Sequence, residues 1–168
     1  KGNVYSYEVT DTEQPNGSLM TSRVIGQFIV SPGPPIIEGG IATGNFDRDP
    51  EPELLVARGL ENITAFEANG TVLWEYSAGA QAEIRSITVG DLNNDGVDDV
   101  VAVAHYEDGE WWCEKALAIN GSNGTQLWHY TCNYVGIEYV AIGDLNGDGT
   151  NDLVLGAQEE LSIPPFKQ

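Results

Sequence analysis

Short apolar runs rich in β-branched residues alternate with polar turns along the chain. Three of these runs cover residues 54–57, 100–104 and 153–157. Apolar runs of this length between clusters of Gly, Asn, Asp and Pro are typical of strands that are buried on one or both faces. No stretch shows the 3.6-residue period of an amphipathic helix. The pattern therefore predicts an all-β protein.

A polar loop of one design precedes each of the three runs. We call residues 45–53 the first loop, 91–99 the second and 144–152 the third. Oxygen side chains stand at positions 1, 3, 5 and 9 of each loop, and a tight turn can direct such oxygens at one hard cation such as Ca²⁺. Position 7 would offer its backbone carbonyl. The predicted metal ligands are Asn45, Asp47, Asp49, Glu51 and Glu53; Asp91, Asn93, Asp95, Val97 and Asp99; and Asp144, Asn146, Asp148, Thr150 and Asp152.

The loops begin like the calcium loop of an EF-hand, but each leads into a strand. Position 12 of the third loop is Leu155, where an EF-hand has a bidentate Glu on a helix. Gly96 and Gly149 at position 6 can take the backbone angles of the turn. Pro50 holds that position in the first loop, and its ring fixes φ at about −65°. We therefore expect two well-formed calcium sites and a third that is distorted, weak or empty.

The plain alternative is that Asp, Asn and Gly only form polar turns. However, each loop gathers carboxylates that repel one another by roughly 4 kcal/mol per pair at about 4 Å and an effective dielectric near 20. A divalent cation reverses that repulsion, and Mg²⁺ demands a stricter octahedron than Ca²⁺. The threefold recurrence of the ligand spacing favours calcium.

The three loops mark a structural repeat. They begin at residues 45, 91 and 144, so successive loops are 46 and 53 residues apart. Further strands follow the first two loops and are joined by tight turns such as Asn69-Gly70. This predicts units of four antiparallel strands. The expected organisation is strands 3 and 4 of a preceding blade plus a linker over 1–35, blades with calcium loops over 36–83 and 84–138, a half blade with a calcium loop over 139–157, and a tail over 158–168.

These residues resemble the FG-GAP repeats of integrin α-subunit β-propellers. The resemblance rests on residues 140–149 and 153–157, is strong at the second and third loops, and is weaker at the first. The hairpins over 69–74 and 123–128 also resemble those of pyrroloquinoline-quinone-enzyme propellers. Both resemblances imply four-stranded antiparallel blades of a β-propeller.

The chain holds about three blade equivalents, whereas propellers normally close with about four to eight blades. We therefore expect a partial propeller, completed by further blades of a parent chain or by a second copy. The start at Lys1, without a Met or an apolar leader, agrees with a mature chain or an excised piece.

The charge of the chain limits its partners. It carries 26 acidic against seven basic residues, for a net charge of −19. This balance argues against nucleic acid and against an anionic membrane surface. No apolar run is long enough for membrane insertion. A protein or a carbohydrate is the partner that we expect.

The two cysteines fall on the arms of one predicted hairpin. If residue 120 faces residue 125, then Cys113 faces Cys132, close enough for a disulfide. Two buried free thiols are the alternative. A disulfide would indicate an oxidising compartment, in agreement with an extracellular or cell-surface location.

One connection between strands, residues 105–112, combines aromatic residues with carboxylates. Such a combination suits a protein or sugar ligand, which makes Tyr106, Trp111 and Trp112 candidates for a ligand surface. Packing between blades is the alternative role for the tryptophans.

No catalytic residues are predicted, because the chain has no Ser/His/Asp signature or nucleotide-binding glycine loop, and His105 and His129 are isolated. We predict a non-enzymatic, calcium-stabilised β-propeller segment of a surface or secreted protein, used for adhesion or ligand recognition. The alternatives are the propeller part of an extracellular enzyme (a quinoprotein or a polysaccharide lyase) and a structural spacer of a surface layer.

Overall fold

The computed structural model describes residues 2–10, 21–30, 36–108, 111–133 and 135–159. Its regular structure is entirely antiparallel β-sheet, which confirms the predicted fold class. None of the described segments is a helix of the length and apolarity that a membrane crossing requires. The chain divides into two compact units, Lys1–Pro35 and Ile36–Gln168.

The first unit contains one antiparallel hairpin. Strand β1 (Gly2–Thr10) pairs with β2 (Thr21–Val30), and the register shifts between Ser6 and Tyr7. The predicted linker over 31–35 lies outside the described residues.

The second unit contains two four-stranded sheets and one strand pair. The first sheet is formed by β3 (Ile36–Gly44), β4 (Glu53–Arg58), β5 (Asn62–Phe66) and β6 (Val72–Ser77). The second sheet is formed by β7 (Ala82–Gly90), β8 (Asp99–Asp108), β9 (Trp111–Ile119) and β10 (Gln126–Asn133). The third sheet is the pair β11 (Val135–Gly143) and β12 (Asp152–Glu159). In each sheet, consecutive strands are neighbours, and the arrangement is consistent with a partial β-propeller. Residues 160–168 of the predicted tail lie outside the described residues.

Strand β8 of the second sheet is buried on both faces. Successive residues of a strand point to opposite faces, so the apolar run of β8 supplies two clusters. Val100, Ala102 and Ala104 pack towards the first sheet, whereas Val101 and Val103 pack in a cluster with Ile137 of the third sheet. The all-apolar run of β8 thus reflects a strand between two layers.

Trp74 joins the first two sheets at the ends that carry the loops. Its indole N–H donates to the Gly121 carbonyl at 2.5 Å, and the ring lies against Gly124. Gly124 has φ +70°, and a Cβ there would sit 2.8 Å from the ring. The tight turn between β9 and β10 is therefore part of the contact between sheets.

The predicted disulfide is wrong: both cysteines are free thiols. A bulge between Gln126 and Trp128 shifts the pairing of β9 with β10 by one residue, so Cys113 faces Asn133 and Cys132 faces Glu114. Since Cys113 and Glu114 are adjacent on one strand, the two thiols lie on opposite faces of the second sheet.

Candidate functional site

The three loops share one scaffold of hydrogen bonds from backbone N–H groups to side-chain oxygens. Position 3 accepts from position 5, position 5 from position 7, and position 9 from position 2. At position 3 the acceptor–donor pairs are Asp47–Asp49 (2.9 Å), Asn93–Asp95 (2.9 Å) and Asn146–Asp148 (2.8 Å). At position 5 they are Asp49–Glu51, Asp95–Val97 and Asp148–Thr150, each at 2.8 Å. At position 9 they are Glu53–Phe46, Asp99–Leu92 and Asp152–Leu145.

Two backbone positions make this turn. Position 4 is left-handed in all three loops, with φ +74° at Arg48, +57° at Asn94 and +78° at Gly147. Position 6 is left-handed only in the loops that have glycine there, Gly96 and Gly149. The sequence pattern indicated position 6 but missed position 4, because Arg rarely adopts a positive φ.

Position 1 separates the first loop from the other two. Asp91 accepts from the N–H of Gly96, and Asp144 from that of Gly149, both at 2.9 Å. Pro50 has no N–H to donate, and Asn45 instead accepts from Arg48 at 2.6 Å. The third loop makes this bond from position 4 as well, from Gly147 to Asp144 at 2.7 Å, so the first loop is distinguished by the missing bond from position 6.

Three carboxylates converge in the first loop. One oxygen from each of Asp47, Asp49 and Glu53 lies within 4.8 Å of the others. No other group of three carboxylate, imidazole or thiol groups is as compact in the part of the chain that the structure describes. This loop has Glu at position 9 where the others have Asp, and Asp at position 3 where the others have Asn. The loop that we expected to bind calcium most weakly is therefore the one whose carboxylates lie closest together.

Glu53 is a buried carboxylate with one unpaired oxygen. Its Oε2 accepts from the Phe46 N–H, while Oε1 is buried and has no hydrogen-bond partner. Burial raises the pKa of Glu53, and the charges of Asp47 and Asp49 raise it further. A buried oxygen without a partner is costly. A bound Ca²⁺ would supply that partner, so the donor set of the first loop fits the ion.

The carboxylates of the other loops are held mainly by backbone N–H groups. Backbone hydrogen bonds lower the pKa of Asp144, and the N–H of Gly149 has the largest effect. The N–H of Thr150 lowers the pKa of Asp148 in the same way. Asp99 differs, because burial raises its pKa despite bonds from Gly121 and Leu92. An ionised carboxylate has about four acceptor positions, so these oxygens can still bind a cation.

Neighbouring loops are bonded to each other. Asp98, at position 8 of the second loop, accepts from the Asn45 N–H at 2.9 Å and donates its own N–H to the Asn45 carbonyl at 2.9 Å. Asn151, at position 8 of the third loop, donates its side-chain N–H to the Asp91 carbonyl at 2.8 Å. The first and second loops are therefore each bonded to the loop that follows.

The structure separates the candidate ligand-surface residues. Tyr106 donates its hydroxyl to the Ala78 carbonyl at 2.9 Å, lies under Lys115, and has its pKa raised to about 12 by burial. It packs against the core shared with the first sheet. Trp112 instead lines a cleft beside the third sheet. The side chain of Trp111 lies outside the described residues.

Sequence reasoning missed the other residues of that cleft, among them Arg85, Glu114 and Tyr139. Glu114 could have been noticed, because it occupies an inward position of β9 between Trp112 and Ala116, where a charge is unusual. Tyr139 carries no local pattern that distinguishes it from a core strand residue.

The described sheets of the second unit share one design, in which an acidic loop joins the first strand to the second. Four-stranded antiparallel sheets of this kind are the repeating unit of β-propellers. The FG-GAP-like repeat matches residues 29–102, and the FG-GAP repeat matches residues 84–130 and 140–162. The chain belongs to the FG-GAP repeat family. No curated protein matches it significantly.

Proposed function

We propose that this chain is a calcium-stabilised segment of a β-propeller that serves ligand recognition or adhesion in a surface or secreted protein. Glu53 carries the calcium part of the proposal, because one of its carboxylate oxygens lies within 4.8 Å of oxygens of Asp47 and Asp49, and its Oε1 is buried without a hydrogen-bond partner. FG-GAP repeats are often calcium-binding, typically non-enzymatic and typical of extracellular or surface proteins, which supports the rest.

We further propose that the units predicted over residues 36–83, 84–138 and 139–157 are two blades and a half blade, with the half blade beginning at Val135 and ending at Glu159, where β11 and β12 begin and end. The third sheet has two described strands where the first and second have four. Two more strands, from further blades of a parent chain or from a second copy, would complete it. The remaining partner is a protein or carbohydrate ligand.

The calcium contribution is modest but measurable. Extracellular modules bind the ion with dissociation constants of roughly 0.1–1 mM. At about 1 mM free Ca²⁺, mass action then stabilises the folded state by about 0.4–1.4 kcal/mol per site. We therefore expect EDTA to lower the melting temperature in differential scanning calorimetry and Ca²⁺ to restore it. An unchanged melt would contradict the proposal.

The variant Glu53→Gln tests the first loop directly. The amide keeps an oxygen that can accept from the Phe46 N–H but loses the charge that a cation requires. We expect the calcium stoichiometry in isothermal titration calorimetry to fall by one. Glu75→Gln is the matched control, because Glu75 is an exposed carboxylate of β6 outside the loops. Equal stoichiometry in wild type and Glu53→Gln would exclude the first loop as a site.

A further inference from the structure

The pairing of β4 with β5 brings a further carboxylate to the first loop. Leu54 faces Phe66 in this pair, so the next facing residues, at the end where the loop enters β4, are Glu53 and Glu67. Facing residues of an antiparallel pair lie on one face of the sheet, with Cβ atoms about 4.5–5.5 Å apart. Glu67 is therefore a neighbour of Glu53 in space, although it lies outside the loop in the sequence.

Both glutamates lie on the face of the first sheet that packs on the second sheet. Leu55 and Ala65 face each other in the same strand pair and belong to the core cluster of the two sheets. Since alternate residues of a strand point to the same face, Glu53 and Glu67 continue this face towards the loop. Glu53 is buried there and Glu67 is half-buried.

The backbone of Glu67 is held by the turn between β5 and β6. Its N–H donates to the Thr71 carbonyl at 2.8 Å, and its carbonyl accepts from the Gly70 N–H at 2.8 Å. Asn69 closes the same turn, because its side-chain oxygen accepts from the Thr71 N–H at 2.8 Å. A change of side-chain rotamer can therefore move the Glu67 carboxylate towards the loop while the backbone stays in place.

The charges of the first loop act on Glu67. Desolvation raises the pKa of Glu67 most, and the charges of Asp47, Asp49 and Glu51 raise it further. The Glu67 carboxylate is not one of the three that converge within 4.8 Å. Repulsion among like charges keeps a fourth carboxylate apart from three others, whereas a divalent cation at their centre attracts it.

The second loop has no such carboxylate beside it. Asp99 holds position 9 there, and the register of β8 with β9 places Asn120 opposite Asp99. Like Glu67, Asn120 donates its N–H to a threonine carbonyl across the turn, at 2.7 Å. Its side chain is neutral, however, and accepts from the Ser122 N–H at 3.0 Å. The third sheet has no described third strand that could supply an equivalent residue.

We propose that Glu67 is a fourth carboxylate ligand of the calcium ion in the first loop. The ion is bound by the three converging carboxylates of the loop and, from the side, by Glu67. It also provides a positive partner for the buried, unpaired Oε1 of Glu53. Because calcium affinity depends on the number of charged ligands, Glu67 offsets the bond that Pro50 cannot make. The proposal rests on the calcium binding proposed above.

Calcium titration followed by two-dimensional amide NMR on the isotope-labelled chain tests the proposal, because the amides of each loop report their own site. Glu67→Gln removes the charge of Glu67 and keeps its length. We expect this variant to weaken calcium binding at residues 45–53 by at least about tenfold, the lower end of what changes beside a metal site cost. The affinities reported by residues 91–99 and 144–152 should change much less.

Glu61→Gln is the matched control. Glu61 is a half-buried glutamate of the same strand pair, but it lies in the turn between β4 and β5, at the opposite end from the loop. Its variant loses the same charge, so it measures the effect of net charge alone on calcium affinity. The calcium-induced rise of the melting temperature should shrink in Glu67→Gln and stay unchanged in Glu61→Gln.

The outcomes separate this inference from the calcium proposal. If the first-loop amides of the wild type do not respond to calcium, both fall for this loop. If they respond, and Glu67→Gln binds calcium as tightly as Glu61→Gln does, only the inference falls. Glu67→Asn is the second variant, because it places in this turn the residue that the second sheet has at the equivalent position, and it should weaken the first loop as Glu67→Gln does.

Discussion

Glu53 is the residue at which burial and charge conflict most directly. It is fully buried, it stands in a cluster of three carboxylates, and one of its oxygens has no hydrogen-bond partner. Burial is the first cause of its raised pKa, and the neighbouring charges of Asp47 and Asp49 add to it. Either a proton or a cation relieves this conflict, so the two should compete for the first loop.

This competition predicts the pH dependence of stability. Because the folded pKa of Glu53 lies above its ordinary value of 4.5, the folded state binds the proton more tightly than the unfolded state does. In EDTA, the resulting stability is fully present below pH 4.5 and is lost as the pH rises through the raised pKa. Urea unfolding over a pH series should show this loss in wild type.

Calcium and Glu53→Gln are the comparisons for that series. With saturating Ca²⁺ the loss should be smaller, because the ion replaces the proton. In Glu53→Gln the Glu53 part of the loss should disappear, leaving the parts of Asp99 and Glu67, whose pKa values are raised chiefly by burial. Asp144 and Asp148 have lowered pKa values, so their contribution is lost only as the pH falls. Identical pH profiles for wild type and Glu53→Gln would contradict the role given to Glu53.

At the residue scale, the ligand spacing could be predicted because it is local in the sequence. The conformation of Arg48 and the unpaired oxygen of Glu53 could not. Both depend on tertiary contacts: Arg48 contacts the backbone and carboxylate of Asp95 in the next loop, and Glu53 is buried and accepts from the N–H of Phe46, whose ring contacts Trp74 of β6.

At the element scale, the turn residues predicted the hairpins, whereas the sequence carried no signal for the positions of the bulges. Glycine after Asn marks a tight turn in the sequence itself. A bulge records how a strand adapts to its neighbours. The bulge in β10 moved Cys132 from the face of Cys113 to the opposite one, where it packs with the cluster that contains Ile137.

The placement of the thiols leads to a simple prediction. Because the two cysteines lie on opposite faces of the second sheet, the protein purified without reductant should contain no Cys113–Cys132 bond. Denaturing alkylation followed by mass spectrometry should find both residues modified. Alkylation after reduction provides the matched control for complete labelling. A disulfide-linked peptide pair containing both residues would mean that the strands pair in the register without the bulge.

At the scale of the second unit, the loops form one connected edge that spans three sheets. Asp98 bonds the second loop to the first, and Asn151 bonds the third loop to the second. Asn94 adds a bond from its side chain to the Gly149 carbonyl at 3.2 Å. Ordering one loop should therefore restrain its neighbours, so calcium binding to one loop should depend on bonds made by the next.

Asp98 allows that dependence to be measured. Asp98→Ala removes the acceptor of the Asn45 N–H, whereas Asp98→Asn removes the same charge but keeps an oxygen in its place. A hydrogen bond to a charged group contributes about 1.5–3 kcal/mol, so we expect Asp98→Ala to lower the free energy of unfolding by about that amount and Asp98→Asn by less. Calcium titration should show a few-fold weaker site in Asp98→Ala than in Asp98→Asn. Because both variants lose one charge, equal affinities would mean that Asp98 acts only through its charge and that the loops bind calcium independently.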